Sequence, residues 1–221
     1  MEPTELFRHF SGEAKQGVPE DQIEETEKRI GARLPDSLRA LHRDHGHNPR
    51  FLEGYHALVR VEDLAREGDH VIFAEEAGGA CVWAFVPGRP GLVTQGVPEY
   101  DEADDRWDEG AGDEDDDEAP ALAWYPEEVS LEVLLRILTA TQVAWGAGDD
   151  AVYVEAPTDA VLSKLQSEWE TLFDYSDLAG YASERRLCLH MEGAPVVQVV
   201  AQSRAELEDL VDDGPFTWGE G

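Results

Sequence analysis

The sequence is poor in basic residues. Its 221 residues contain 17 lysines and arginines against 49 aspartates and glutamates, which gives a formal net charge of −32. A field of this sign repels the phosphates of nucleic acids and of anionic membranes, and it attracts cationic proteins at long range. The composition therefore disfavours nucleic acid and membrane as partners and favours a basic protein surface. Acidity that serves only solubility explains the same composition.

Cysteine is also scarce, and its two positions do not suggest redox chemistry. Cys81 and Cys188 lie in the apolar, strand-like runs CVWAFV and RLCLH. Cysteine in such a run usually behaves as a small buried hydrophobe. We therefore expect neither a disulfide nor a catalytic thiol.

Long apolar runs and known catalytic motifs are absent from the sequence. The residues after Met1 are polar and charged, so we expect no signal peptide, no membrane span and a cytoplasmic location. The chain has no G-x-S-x-G elbow, P-loop, H-E-x-x-H or glycine-rich dinucleotide turn. These absences predict a binding protein without catalytic residues or cofactors. A hydrolase that uses carboxylates in the last part of the chain is the alternative.

Helical periodicity is clearest in three segments. In PEDQIEETEKRIGARLP the apolar residues recur at helical spacing, and Gly31 suits a C-terminal stop. Pro35 then opens a second helix that ends at Gly46. Ser130 is a candidate cap for a third helix, LEVLLRILTATQVAW, which carries a leucine stripe.

Extended structure is indicated by VIFAEEAGGACVWAFV, which reads as a hairpin. Its two arms are almost continuously apolar, which predicts strands covered on both faces by helices. The last part reads as β-α-β-β-α, and Ser203 and Glu206 fit a capping box before its final helix. A boundary near 146–150 divides the chain into a domain of residues 1–148 and an extension of residues 149–221.

The segment 99–120 is the most acidic part of the sequence. It contains thirteen acidic residues and Arg106, a net charge of 1 − 13 = −12, which leaves −20 for the rest of the chain. Such a run cannot pack into a core, so we predict a solvated loop.

The residues IEETEKRIGARLPDSLRALHRDHG, followed by VIFAEEAGGACVWAF, resemble the SUKH superfamily, to which bacterial toxin-immunity proteins and yeast cell-wall assembly regulators belong. The resemblance covers about the first two thirds of the chain. The family commonly has Gly-Gly or Asn-Gly where this chain has Gly46-His47-Asn48. The matching positions are Ile23, Glu27, Ile30, Gly31, Leu34, Pro35, Leu38, Leu41, Gly46, Phe73, Ala74, Glu75, Glu76, Val82 and Trp83.

The resemblance implies an α+β fold with a curved mixed sheet, packed helices and no catalytic residues. It also implies an immunity protein that binds and neutralises a cognate bacterial toxin, such as a nuclease, by stoichiometric occlusion. A nuclease presents a basic cleft to phosphate, and an acidic protein is able to occupy that cleft. The alternative is a regulatory or scaffolding module like the yeast relatives.

The predicted partner-binding residues fall into two groups. Trp107 is the candidate anchor within the acidic segment, since tryptophan is enriched at interface hot spots. A solvated insertion without a partner, or a turn that only needs polar residues, explains the same positions. The candidates are Trp107, Asp113, Glu114, Asp115, Asp116, Asp117 and Glu118 in the segment, and Glu75 and Glu76 in the hairpin turn.

Two metal hypotheses are weaker, and we predict no metal. The run DEDDDE offers clustered carboxylates for calcium but lacks the spacing of an EF-hand loop. His42 and His45 are three residues apart on a helix and His47 is near, but a site needs further ligands. Histidines at a helix C-terminus more often complement its dipole.

Overall fold

The computed structural model describes residues 1–54, 56–89, 91–99, 120–146, 151–155, 157–191, 196–212 and 215–218. Within these ranges the fold is α+β, as predicted, with seven α-helices and two antiparallel sheets. No helix in the described ranges is both long and apolar enough to cross a membrane.

The helices are distributed along the whole chain. Two short 3-10 helices, Val61–Asp63 and Arg204–Glu206, accompany them. The α-helices are α1 (Pro3–Ser11), α2 (Glu20–Ile30), α3 (Asp36–His45), α4 (Pro49–Leu52), α5 (Leu131–Trp145), α6 (Asp159–Glu168) and α7 (Glu208–Asp212).

The first sheet is built from the first part of the chain. Its strands follow the order β1-β3-β4-β5-β6, and β2 pairs with β3 beside this path. Every described pairing is antiparallel, which differs from the mixed sheet that the sequence predicted. The strands are β1 (His56–Leu58), β2 (Arg66–Glu67), β3 (His70–Glu76), β4 (Val82–Phe85), β5 (Val93–Pro98) and β6 (Leu122–Pro126).

The second sheet follows α5 and has the order β12-β7-β11-β10-β9-β8, again antiparallel. The predicted β-α-β-β-α order was wrong because it lacked β8, β9 and β12 and because it extended α6 into the residues that form β8. The strands are β7 (Ala151–Glu155), β8 (Glu170–Tyr175), β9 (Leu178–Ala182), β10 (Arg186–Met191), β11 (Val196–Ala201) and β12 (Thr217–Trp218).

The helix ends test the predicted caps. Gly31 ends α2 in the left-handed region at φ 66°, which glycine adopts without steric cost. The Ser130 hydroxyl accepts from the N–H of Val133 at 3.4 Å, as predicted. The predicted capping box at Ser203 was wrong, since Ser203 makes no side-chain cap and a 3-10 turn follows it.

Helix α1 differs from the expectation of a polar, charged start to the chain. Leu6, Phe7 and Phe10 recur at helical spacing and are 0%, 0% and 1% exposed. The helix packs mainly on α5 and also on α3. Burial of each of these side chains contributes about 2 kcal/mol.

Two buried clusters hold the fold together. The larger cluster joins α1, α3, α5 and one face of the first sheet to one face of the second sheet, and it includes Leu187 and Val200. The smaller cluster lies on the other face of the second sheet, where Leu165 of α6 and Leu207 pack. The larger cluster thus contains residues from both sides of position 148, and the division at that position stays a prediction.

Candidate interaction surface

The predicted partner-binding residues are only partly described. Trp107 and residues 113–118 lie outside the described ranges. The calcium hypothesis concerns the same run, 113–118, and therefore also falls on residues outside those ranges. Glu75 and Glu76 are described, and they are the last two residues of β3 rather than part of the turn itself.

Glu75 and Glu76 have different environments. The Oε2 atom of Glu76 accepts from the N–H of Gly78 at 2.9 Å and from the N–H of Ala80 at 3.1 Å. This carboxylate therefore holds the β3–β4 turn. Glu75 is exposed and lies between its strand neighbours Ala57 and Val82. Of the two, Glu75 is the residue whose carboxylate is presented to solvent.

The topology brings Glu75 and the base of the acidic segment to one edge of the first sheet. Because β3 and β5 both pair antiparallel with β4, they run in the same direction and end at the same edge. Segment 99–120 connects β5 to β6 at that edge, where the N–H of Glu99 donates to the carbonyl of Ala121 at 2.8 Å. We call Glu75, Glu76 and Glu99 the acidic edge.

The two faces of this sheet are packed differently. Trp83, Phe85 and Val93 point to one face and belong to the larger buried cluster. The alternate positions point to the other face, and none of them belongs to either buried cluster. We call this side the open face; its half-buried residues include His70, Ile72, Val82, Leu122 and Trp124. The predicted cover of this face by helices is not seen among the described residues, although Ala84 and Thr94 on this side are 0% and 6% exposed.

The indole of Trp124 lies across the centre of the open face. A Cβ atom at Gly96 would lie 2.8 Å from a ring carbon of Trp124 and 2.9 Å from Cγ2 of Val82. Glycine at position 96 is thus what allows this indole to approach the sheet. The ring also stacks on His70, with ring centres 4.0 Å apart and planes 5° apart.

Sequence reasoning selected Trp107 as an anchor and missed Trp124. The signal for Trp124 was present in the run LAWYP, where alternation places Leu122 and Trp124 on the same side of a strand. Whether that side faces the core or solvent depends on where the helices pack, which the run itself does not encode.

A second polar cluster joins the two sheets rather than forming a surface. The carboxylate of Glu127 accepts from Nε1 of Trp83 at 2.9 Å and from the hydroxyl of Tyr175. The hydrogen bond to Glu127 raises the pKa of Tyr175 to about 12. Glu127 therefore ties the end of β6 to β8.

Of the three histidines considered as metal ligands, His42 and His45 are core residues and His47 is exposed. His42 is 0% exposed, neither of its ring nitrogens has a hydrogen-bond partner among the described residues, and burial lowers its pKa to about 4. The ring of His45 packs on Phe7 with centres 4.8 Å apart, and burial lowers its pKa. In the described part of the chain, no three His, Cys, Asp or Glu side chains form a group able to hold a metal ion.

Both cysteines are free and buried, as their apolar runs indicated. Burial raises the pKa of Cys81 and of Cys188, which disfavours the reactive thiolate.

Comparisons of the chain with protein-family models, with characterised proteins and with solved structures found no match.

Proposed function

We propose that this protein binds a basic protein partner stoichiometrically and neutralises it, in the manner of an immunity protein against a cognate bacterial toxin such as a nuclease. The observation that carries the proposal is the arrangement of the first sheet, where the acidic edge adjoins the half-exposed open face. The chain that presents this surface has a net charge of −32.

The two parts of the surface suit different steps of binding. Protein interfaces combine an apolar centre with a polar rim, and aromatic residues are enriched at the centre. Trp124 and Val82 on the open face fit the first role, and Glu75 with the acidic segment fits the second. A strongly acidic field also orients a cationic partner before contact and raises the association rate.

Occlusion requires no chemistry from this chain. A toxin that acts on nucleic acid must present positive charge to phosphate, and an acidic surface that covers this charge competes with the substrate. Inhibition should therefore reach completion at one equivalent of the protein and reverse on dissociation.

The test is co-expression with the product of the adjacent gene, followed by pull-down and an assay of that product's toxicity. We expect a basic protein to copurify at equal stoichiometry and to lose its toxicity in the complex. Copurification with a non-toxic host protein would instead support a regulatory or scaffolding module. Recovery of an acidic protein, or of no protein, would contradict the proposal.

A further inference from the structure

The two sheets have five edge strands in the described part of the chain, and four of them are protected. One of these, β2, has only two residues. Unpaired edges attract other strands, and proteins protect them by shortness, charge, bulges or cover. Strand β1 has three residues and packs against α4 and α5. Strand β8 has a register irregularity and carries Glu170 and Asp174. Strand β12 has two residues, and Arg204 lies over its Trp218.

Strand β6 is the edge that lacks most of these protections. Its sequence LAWYP contains no charged residue, and its pairing with β5 runs over five residues without a register shift. Tyr125 is 56% exposed, and Leu122 and Trp124 are half-buried. Pro126, at the end of the strand, is its one edge-blocking residue.

The register identifies which backbone groups of β6 face outward. The N–H of Glu99 donates to the carbonyl of Ala121, and the N–H of Glu127 donates to the carbonyl of Val93. Hydrogen-bonded and non-bonded pairs alternate along an antiparallel ladder. Ala123 and Tyr125 therefore bond to β5, whereas the N–H and carbonyl groups of Leu122 and Trp124 point away from it. Among the described residues these outward groups have no backbone partner.

We propose that an extended, basic segment of the partner adds to β6 as a further strand of the first sheet. This inference rests on the proposed function, since it assigns a binding mode to the same basic partner. Strand addition supplies backbone hydrogen bonds for affinity, and alternate side chains supply specificity. On the open face, every second side chain of the added strand would lie beside Leu122 and Trp124, which favours apolar residues at those positions.

The charges around β6 favour a basic segment over a second copy of this chain. Glu99 is exposed and bonds to Ala121 at one end of the strand, and the exposed Glu128 follows the other end. An added strand with lysine or arginine at its remaining positions would meet opposite charge at both ends. Pairing of two β6 strands would instead bring the acidic flanks of two chains, each of net charge −32, against one another.

Amide hydrogen exchange of the full-length ¹⁵N-labelled protein first tests whether the outer side of β6 is unpaired. In the free protein we expect fast exchange at Leu122 and Trp124 and slow exchange at Ala123 and Tyr125 of the same strand. On titration with a short peptide that alternates Lys and Val, the amides of Leu122 and Trp124 should shift and become protected. Protection of these amides without peptide that increases with protein concentration would show self-pairing and overturn the proposal.

Two further peptides separate this inference from the proposed function. A Thr-Val peptide of the same length should bind β6 more weakly than the Lys-Val peptide, and a Glu-Val peptide should not bind. If the Lys-Val peptide shifts Glu75 and Glu99 but not Leu122 and Trp124, strand addition fails and the basic partner stands. If all three peptides protect Leu122 and Trp124 equally, strand addition stands and the preference for a basic partner fails.

A matched pair of variants tests the backbone contribution. Leu122→Pro removes an outward N–H at the first residue of the strand without removing a bond to β5, whereas Leu122→Ala removes only side-chain contact. Since the loss of one hydrogen bond weakens binding about fivefold, Leu122→Pro should bind the Lys-Val peptide about fivefold more weakly than Leu122→Ala. Circular dichroism checks that both variants fold. Equal affinity of two folded variants would overturn the proposal.

Discussion

The indole of Trp124 on β6 stacks on the imidazole of His70 on β3, with ring centres 4.0 Å apart, although two strands separate them in the sheet. This contact holds the indole over Gly96 and places an aromatic surface at the centre of the open face. It thereby connects the edge strand to the strand that carries Glu75.

The stacked pair should contribute measurably to stability. Aromatic pairs contribute about 0.5–1.5 kcal/mol beyond the area that they bury. We therefore expect a double-mutant cycle of His70→Ala and Trp124→Ala to give a coupling energy of about 1 kcal/mol in urea unfolding. A coupling energy near zero would show that the two rings are neighbours without mutual stabilisation.

Substitutions at Glu75 and Glu76 should have different effects, the first on binding of the partner and the second on the stability of the fold. Glu75→Lys reverses an exposed charge, so the free energy of unfolding should change by less than about 0.5 kcal/mol, while association with the basic partner becomes slower. Glu76→Ala leaves the N–H groups of Gly78 and Ala80 without their carboxylate, which should cost about 1–2 kcal/mol. Denaturant unfolding and stopped-flow association measure the two effects. The opposite pattern would contradict the assignment of roles.

The link between the sheets predicts a spectroscopic change. The hydrogen bond from Tyr175 to Glu127 raises the tyrosine pKa to about 12 and is the largest cause of that shift. Glu127→Gln should therefore bring the pKa of Tyr175 back toward about 10. An NMR titration of ring-labelled tyrosine measures this change. Glu128→Gln is the control, because Glu128 is the smallest contributor to the shift. An equal change in both variants would contradict the role of Glu127.

His42 predicts how stability depends on pH. Burial lowers its pKa to about 4, so between pH 6.5 and 4 the unfolded chain binds a proton that the folded chain excludes. Stability should be fully present above pH 6.5 and should fall by about 3 kcal/mol as the pH decreases through this range. Unfolding measured across this range should show the decrease.

Two variants identify the source of that pH dependence. His42→Leu should remove most of the slope, leaving a smaller one from His45 and His56, whose pKa values burial also lowers. Leu38→Val, at another buried position of α3, should lower stability equally at every pH. A slope that persists unchanged in His42→Leu would contradict this account.

The sequence was most informative where local signals and tertiary packing agree. The α2–α3 corner was predicted from Gly31 and Pro35, and in the structure Oε1 of Glu27 accepts from the N–H of Leu34 at 2.9 Å to close it. The β3–β4 hairpin and α5 were likewise predicted, because periodicity and turn residues mark them independently of the rest of the fold.

Prediction failed where the outcome depends on distant parts of the chain. Strand β8 follows α6 directly at Glu170, and its residues continue a helical pattern through Leu172 that pairing with β9 overrides. The predicted cover of both faces of the first sheet by helices is not seen among the described residues, for the same reason. Strand β4 is apolar throughout, so its sequence does not indicate which of its two sides the helices cover. Trp124 became a site residue only when the strand order was known.

The most direct test of the account is the association rate between this protein and its copurified basic partner as a function of ionic strength. Since the Debye length falls from about 30 Å at 0.01 M to about 8 Å at 0.15 M, the rate should decrease at least about tenfold over that range, while the dissociation rate changes little. An association rate that is independent of salt would contradict the claim that the acidic surface directs binding.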